Sequence, residues 1–206
     1  MKRFFLISLL ILPFFVSCDY FKPYEVTKTA KDYVKNHVLH DNNCDIKVTK
    51  IKKDTLPFYF NHAAYEEVNK FNSTMVDLLN DNNDIGDKVD ISQELKKIQL
   101  GIKDKCTGLK ESYIVYLKAS KQENGLEKYI VIIDKDKTDK IICCFEFNEE
   151  FKDNLTNLVI AIGMPIELDE YGIIDLKEAN KWFNNNLNEC EYFSKKVYNK
   201  HIKRFE

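Results

Sequence analysis

The sequence predicts an α+β fold: an antiparallel β-meander with helices packed on one face, and a helical pair inserted between the first and second strands. Three observations carry that reading. Residues 113–147 fall into three runs rich in β-branched and aromatic residues, separated by turn-forming segments, the pattern of neighbouring antiparallel strands. Segments on either side carry apolar residues at i, i+3, i+4 spacing, the period of helices with one buried face. Hydrophobic residues make up 44% and charged residues 31% of 206, with only 6 Gly and 4 Pro, a composition that builds a core.

The elements follow in order. Val26, Ala30, Tyr33, Val34, His37 and Val38 share one helical stripe, with Lys28, Lys31, Asp32 and Lys35 off it. Ile46 and Val48 alternate with polar residues in a strand over 45–53, which Leu56-Pro57 ends. Asn61 is placed to cap a helix carrying Ala64, Val68, Phe71, Met75, Leu78 and Leu79, which stops at the run of Asn and Asp over 80–83. Asp90 with Gln93 reads as the capping box of the next helix, whose stripe is Ile91, Leu95, Ile98, Ile102 and Cys106, with Gly108 as its stop. Tyr113, Val115, Leu117 and Ala119 alternate in a strand; Asn124-Gly125 turns the chain into a second over 129–133, and 141–147 is a third. Residues 149–174 carry a helical stripe, Phe151, Leu155, Leu158 and Ile162, that runs into β-branched residues and then Gly163-Met164-Pro165. Asp175 with Glu178 caps a last helix bearing Ala179, Phe183, Leu187 and Cys190.

The N-terminus is organised differently. Met1-Lys2-Arg3 precedes the apolar stretch Phe4 to Val16, which at 13 residues is shorter than the about 20 a membrane-spanning helix needs. A basic start and a short apolar core are the marks of an export signal. Phe15-Val16-Ser17-Cys18 then resembles the lipobox of bacterial lipoprotein precursors, with Phe15 standing where Leu is commonest. The resemblance covers residues 1–18. It implies cleavage before Cys18, a diacylglycerol thioether and an acyl group such as palmitate on Cys18, and lipid anchoring to the inner or outer membrane of a cell envelope, with the domain in the periplasm or at the cell surface. The expected organisation is a signal peptide over 1–17, a lipidated tether over 18–25 and one α+β domain over 26–206. The order of elements in that domain resembles cystatin-like and NTF2-like envelope lipoproteins, with the helical pair as an insertion.

Lys+Arg number 31 against 33 Asp+Glu; without Lys2 and Arg3 the processed chain holds 29 against 33, and no basic excess points to nucleic acid. Lys47, Lys50, Lys52 and Lys53 read as a solvated strand face. With Cys18 lipidated, Cys44, Cys106, Cys143, Cys144 and Cys190 remain, an odd number that cannot all pair within one chain. Cys143 reads as a core residue, and Cys44 and Cys106, each at an element end, are the candidate bridge. His37 and His40 have metal-compatible spacing without a third ligand, and His62 with Glu66 reads as an exposed helical pair. No Gly-x-Ser-x-Gly elbow or phosphate-binding glycine loop occurs. Phe58-Tyr59-Phe60 is a dense aromatic cluster, read as core packing or, alternatively, as a binding patch.

The expectation is therefore a membrane-anchored, non-enzymatic envelope lipoprotein, without cofactor beyond its lipid, that binds a protein or small ligand. An inhibitor or immunity-type protein blocking a partner enzyme, and an envelope hydrolase, are the alternatives. An exposed sheet face lined by aromatics would favour binding; a deep pocket where a His and a carboxylate converge would favour hydrolysis.

Overall fold

The computed structural model describes residues 22–41, 43–80, 83–107, 109–121 and 125–206. The lipobox, Cys18, Gly108 and Asn124 lie outside these residues. The chain is α+β and divides into two compact units, one formed by 22–55, 111–147 and 204–206, the other by 56–110 and 148–203.

The first unit is a four-stranded antiparallel sheet in the order β1-β2-β3-β4: β1 (Asp45–Thr55), β2 (Glu111–Lys121), β3 (Gly125–Asp134) and β4 (Ile141–Glu146). Helix α1 (residues 22–33) covers one face and continues as a π-helix over Val34–Leu39. Residues 22–25, expected in the tether, are helical. Val26, Ala30, Val34 and Leu39 pack against Ile46 of β1, Tyr113, Val115, Leu117 and Ala119 of β2, and Tyr129, Val131 and Ile133 of β3. Burying a side chain of Val or Ile size in such a cluster contributes about 1.5–3 kcal/mol. The helical stripe drifts from the expected one because i→i+5 pairing replaces i→i+4 after Val34. Leu39 takes the inward position, and His37 and Val38 are exposed.

Gly125 adopts φ 80°, the left-handed region a glycine enters freely, and pairs with Lys121 at the β2–β3 turn. Register slips between Val48 and Lys50, and at this bulge the Thr49 hydroxyl lies within hydrogen-bonding distance of Tyr116 O (3.2 Å) and Arg204 O (2.9 Å). The returning C-terminus places Phe205 edge-on to Tyr116 and stacked on Phe147. The outer strand β1 exposes Lys47, Lys50 and Lys53, charges that discourage pairing along a sheet edge.

The second unit is helical: α2 (His62–Leu78), α3 (Ile85–Lys105), α4 (Glu149–Gly163) and α5 (Leu176–Ile202), with a 3-10 turn over Phe58–Phe60. α2 and α3 are the inserted pair. Asn61 caps α2 by accepting from Ala63 N, and Asp175 caps α5 by accepting from Lys177 N and Glu178 N, both as expected. α3 differs: its N-cap is Asp84, accepting from Asp87 N, so Asp90 and Gln93 sit inside the helix. Residues 149–174 resolve into α4, capped by Asn148, and a loop closed by a bridge between Leu168 and Ile174. Gln99, buried on α3, donates from Nε2 to Ala161 O (2.8 Å) and Met164 O (2.6 Å), satisfying carbonyls at the end of α4.

Candidate functional site

Helices α4 and α5 run antiparallel: Glu149 at the start of α4 lies against Tyr198 near the end of α5, and Gly163 at the end of α4 lies against Trp182 near the start of α5. α4 turns Phe151, Leu155, Leu158 and Ala161 into the core. Its other side, with the α5 stripe 183, 187, 191, 195 and 198, lines a groove of about 710 Å³. An i, i+4 stripe on one helix facing an i, i+3, i+4 stripe on the other is what makes the groove continuous along α4.

The groove is polarised. At one end Ile160, Phe183 and Leu187 form an apolar floor. At the other, Lys152 bonds Glu149, which also interacts with Tyr198, and Asp153 and Lys195 complete a rim bearing both charge signs. The hydrogen bond from Lys152 holds the Glu149 carboxyl below its ordinary value of 4.5. The same bond raises Lys152, while burial and then the Glu149 charge raise Tyr198. Near neutral pH the carboxylate is thus ionised, the amine charged and the phenol protonated, and none of the three is poised to exchange a proton. No His, Cys or Ser lines the groove. Its arrangement suits recognition of a ligand with a polar end and an apolar body.

A second groove, of about 640 Å³, lies along α2 and α3. One of its carboxylates is engaged within the protein: Glu67 accepts from Lys105 (2.8 Å) and Lys70 (3.2 Å), and the Lys105 bond lowers its pKa.

The residues singled out from sequence are not brought together. Tyr59 and Phe60 are buried, which fits the core-packing reading of Phe58-Tyr59-Phe60 and goes against the alternative of a binding patch. The Tyr59 hydroxyl lies 3.0 Å from His201 Nε2, so its one polar atom is satisfied inside the core. Phe60 packs against the rings of Phe151 and His201, and Phe58, half-buried, stacks on Phe193. Cys44 and Cys106 are free thiols rather than a bridge. Cys44 Sγ donates to Asp41 O (3.0 Å), and burial raises the Cys106 thiol, which follows α3. Cys143 is buried, while Cys144, turned to the α1 face, has its thiol pushed up to about 12 by burial. His62 and Glu66 form an exposed pair at 3.6 Å. Tyr113, Tyr116, Tyr129, Phe145 and Phe147 are all buried, so the sheet offers no exposed aromatic face. Among the described residues no group of three His, Cys, Asp or Glu side chains converges as a metal site, and no helix is long and apolar enough to cross a membrane.

No protein-family model, curated protein or solved structure matches the chain.

Sequence reasoning missed the groove because its two walls are 23 or more residues apart and each reads as an ordinary solvated helix face. The available signal was that Phe183 and Leu187 continue in register into Glu191, Lys195 and Tyr198, so that one face changes from apolar to charged along its length.

Proposed function

We propose that this chain is a membrane-anchored, non-enzymatic envelope lipoprotein that binds a protein or small ligand in the α4–α5 groove. The observation that carries the binding half is the polarised groove itself: an apolar floor at Ile160, Phe183 and Leu187 beside a charged rim in which Lys152 bonds Glu149. Support for the anchor comes from the order of basic start, apolar core, Ser17 and Cys18 in the sequence.

Two experiments test the halves separately. Intact mass of the processed protein reports the lipid, and Cys18→Ala should release the chain from membranes; retention of that variant at unchanged mass overturns the anchor. Cross-linking in whole cells should capture a partner or ligand that Leu187→Glu and Lys195→Glu each lose. Turnover of an ester or peptide panel by the purified protein, undiminished in both variants, would replace binding with catalysis at another site.

A further inference from the structure

Val26, Ala30 and Val34 occupy the core, whereas Tyr24, Lys28, Lys31 and Lys35 recur at i, i+4, i+7 and i+11 along a different side of the helix. Tyr24 is 69% exposed, Lys28 is exposed, and Lys31 and Lys35 are half-exposed. Among the described residues, none of these three lysines lies within ion-pairing distance of a carboxylate, in contrast to Lys105, Lys135 and Lys152. Three acidic residues border the stripe on one side, Glu25 and Asp32 of α1 and Asp139 before β4, which line a hollow with Lys28, and Glu25 accepts from Thr138 Oγ1 (3.0 Å).

Position along the chain gives this stripe its meaning. Residues 22–25 are helical, and in the sequence three residues, Asp19, Tyr20 and Phe21, lie between them and Cys18. Four Cα-to-Cα steps reach at most ~14 Å at about 3.5 Å each. A lipid on Cys18 would therefore hold the start of α1 at the height of the headgroups, within range of surface potential even where salt screens beyond about 8 Å.

We propose that the Tyr24–Lys28–Lys31–Lys35 side of α1 is a docking surface for a bilayer carrying anionic phospholipid headgroups. The proposal rests on the lipoprotein reading of Cys18. The three ammonium groups meet headgroup phosphates, and the exposed phenol ring sits at the interface where amphipathic aromatics collect. The anchor supplies attachment; the lysine stripe supplies orientation, laying α1 along the membrane rather than letting the domain turn freely on its tether.

The test uses the full-length, processed protein reconstituted on vesicles of phosphatidylcholine alone or with phosphatidylglycerol, with lysine acylation read residue by residue by mass spectrometry. On anionic vesicles Lys28, Lys31 and Lys35 should label about five-fold more slowly than on neutral ones, and the protection should vanish in roughly 1 M salt, where the Debye length is about 3 Å. Equal labelling of the three lysines on the two vesicle types overturns the proposal, as does protection that persists in high salt. The triple variant K28E/K31E/K35E should stay on the vesicles through its lipid yet give a Tyr24 that is equally accessible to iodination on both surfaces; continued protection of Tyr24 on anionic vesicles also overturns it. The mass of the same sample reports the lipid on Cys18, so failure of the anchor and failure of the docking face are read in different channels.

Discussion

The hydroxyl of Tyr59 and Nε2 of His201 lie 3.0 Å apart in the core of the helical unit, although 142 residues separate them in sequence. Both residues are more than nine-tenths buried, so neither can substitute water for the other. Tyr59→Phe should cost about 1–3 kcal/mol, the range for leaving a buried polar group one partner short. Chemical denaturation checks it, and a loss below a few tenths would mean the pair contributes little to folding.

Gly163 ends α4 against the indole of Trp182. A methyl group there would lie 2.7 Å from Trp182 Cζ2 and 2.9 Å from Cη2. Gly163→Ala should move the ring, cost about 1–3 kcal/mol as overpacking does, and shift fluorescence. Trp182 is the sole tryptophan of the chain, which makes its emission a direct reading of this contact. Unchanged emission would mean that α4 and α5 separate there without strain.

Removing the Gln99 side chain leaves the Ala161 and Met164 carbonyls without their donor. Gln99→Ala should destabilise by about 1–3 kcal/mol and accelerate hydrogen exchange in the last turn of α4 ahead of its first turn. Exchange that rises evenly along the helix would place the stabilisation elsewhere.

Ionisation of Glu149 sets the low-pH limit of the groove. Its carboxyl is held below 4.5 by the Lys152 hydrogen bond, so the contribution of this bond is complete above the ordinary value and is lost as pH falls through the lower folded one. Lys152 is raised above 10.5, so its contribution is complete below that value and is lost as pH rises through the higher folded one. NMR titration should find Glu149 midway below 4.5, and Lys152→Met should return it toward that value. A Glu149 midpoint unmoved by the variant would remove Lys152 as the cause.

Much of this architecture is legible in the sequence because local signals and tertiary demands agree. Asn61 and Asp175 announce helix starts, and the alternation of Tyr113, Val115, Leu117 and Ala119 fixes which face of β2 meets α1. Asp84 escaped because it follows a turn-forming run and precedes Gly86, so the later Asp90–Gln93 pair looked like the start of α3. The π-helical turn escaped because a regular helical period puts His37 and Val38 inward, and only packing of Leu39 selects the wider winding. Tyr59 with His201, and the groove between α4 and α5, depend on pairings between distant segments that no local pattern encodes.

The first unit is drawn from three stretches of chain, and this fixes an order of assembly. β2, β3 and β4 are joined by segments of three and six residues, 122–124 and 135–140, and can pair as soon as they exist. β1 must wait while 56–110 are made before it finds β2. Phe205 follows α4 and α5 in sequence, so the ring contacts at Tyr116 and Phe147 close only after both helices have been made. The sheet is built outward from the meander, and its seal arrives from beyond the helical unit.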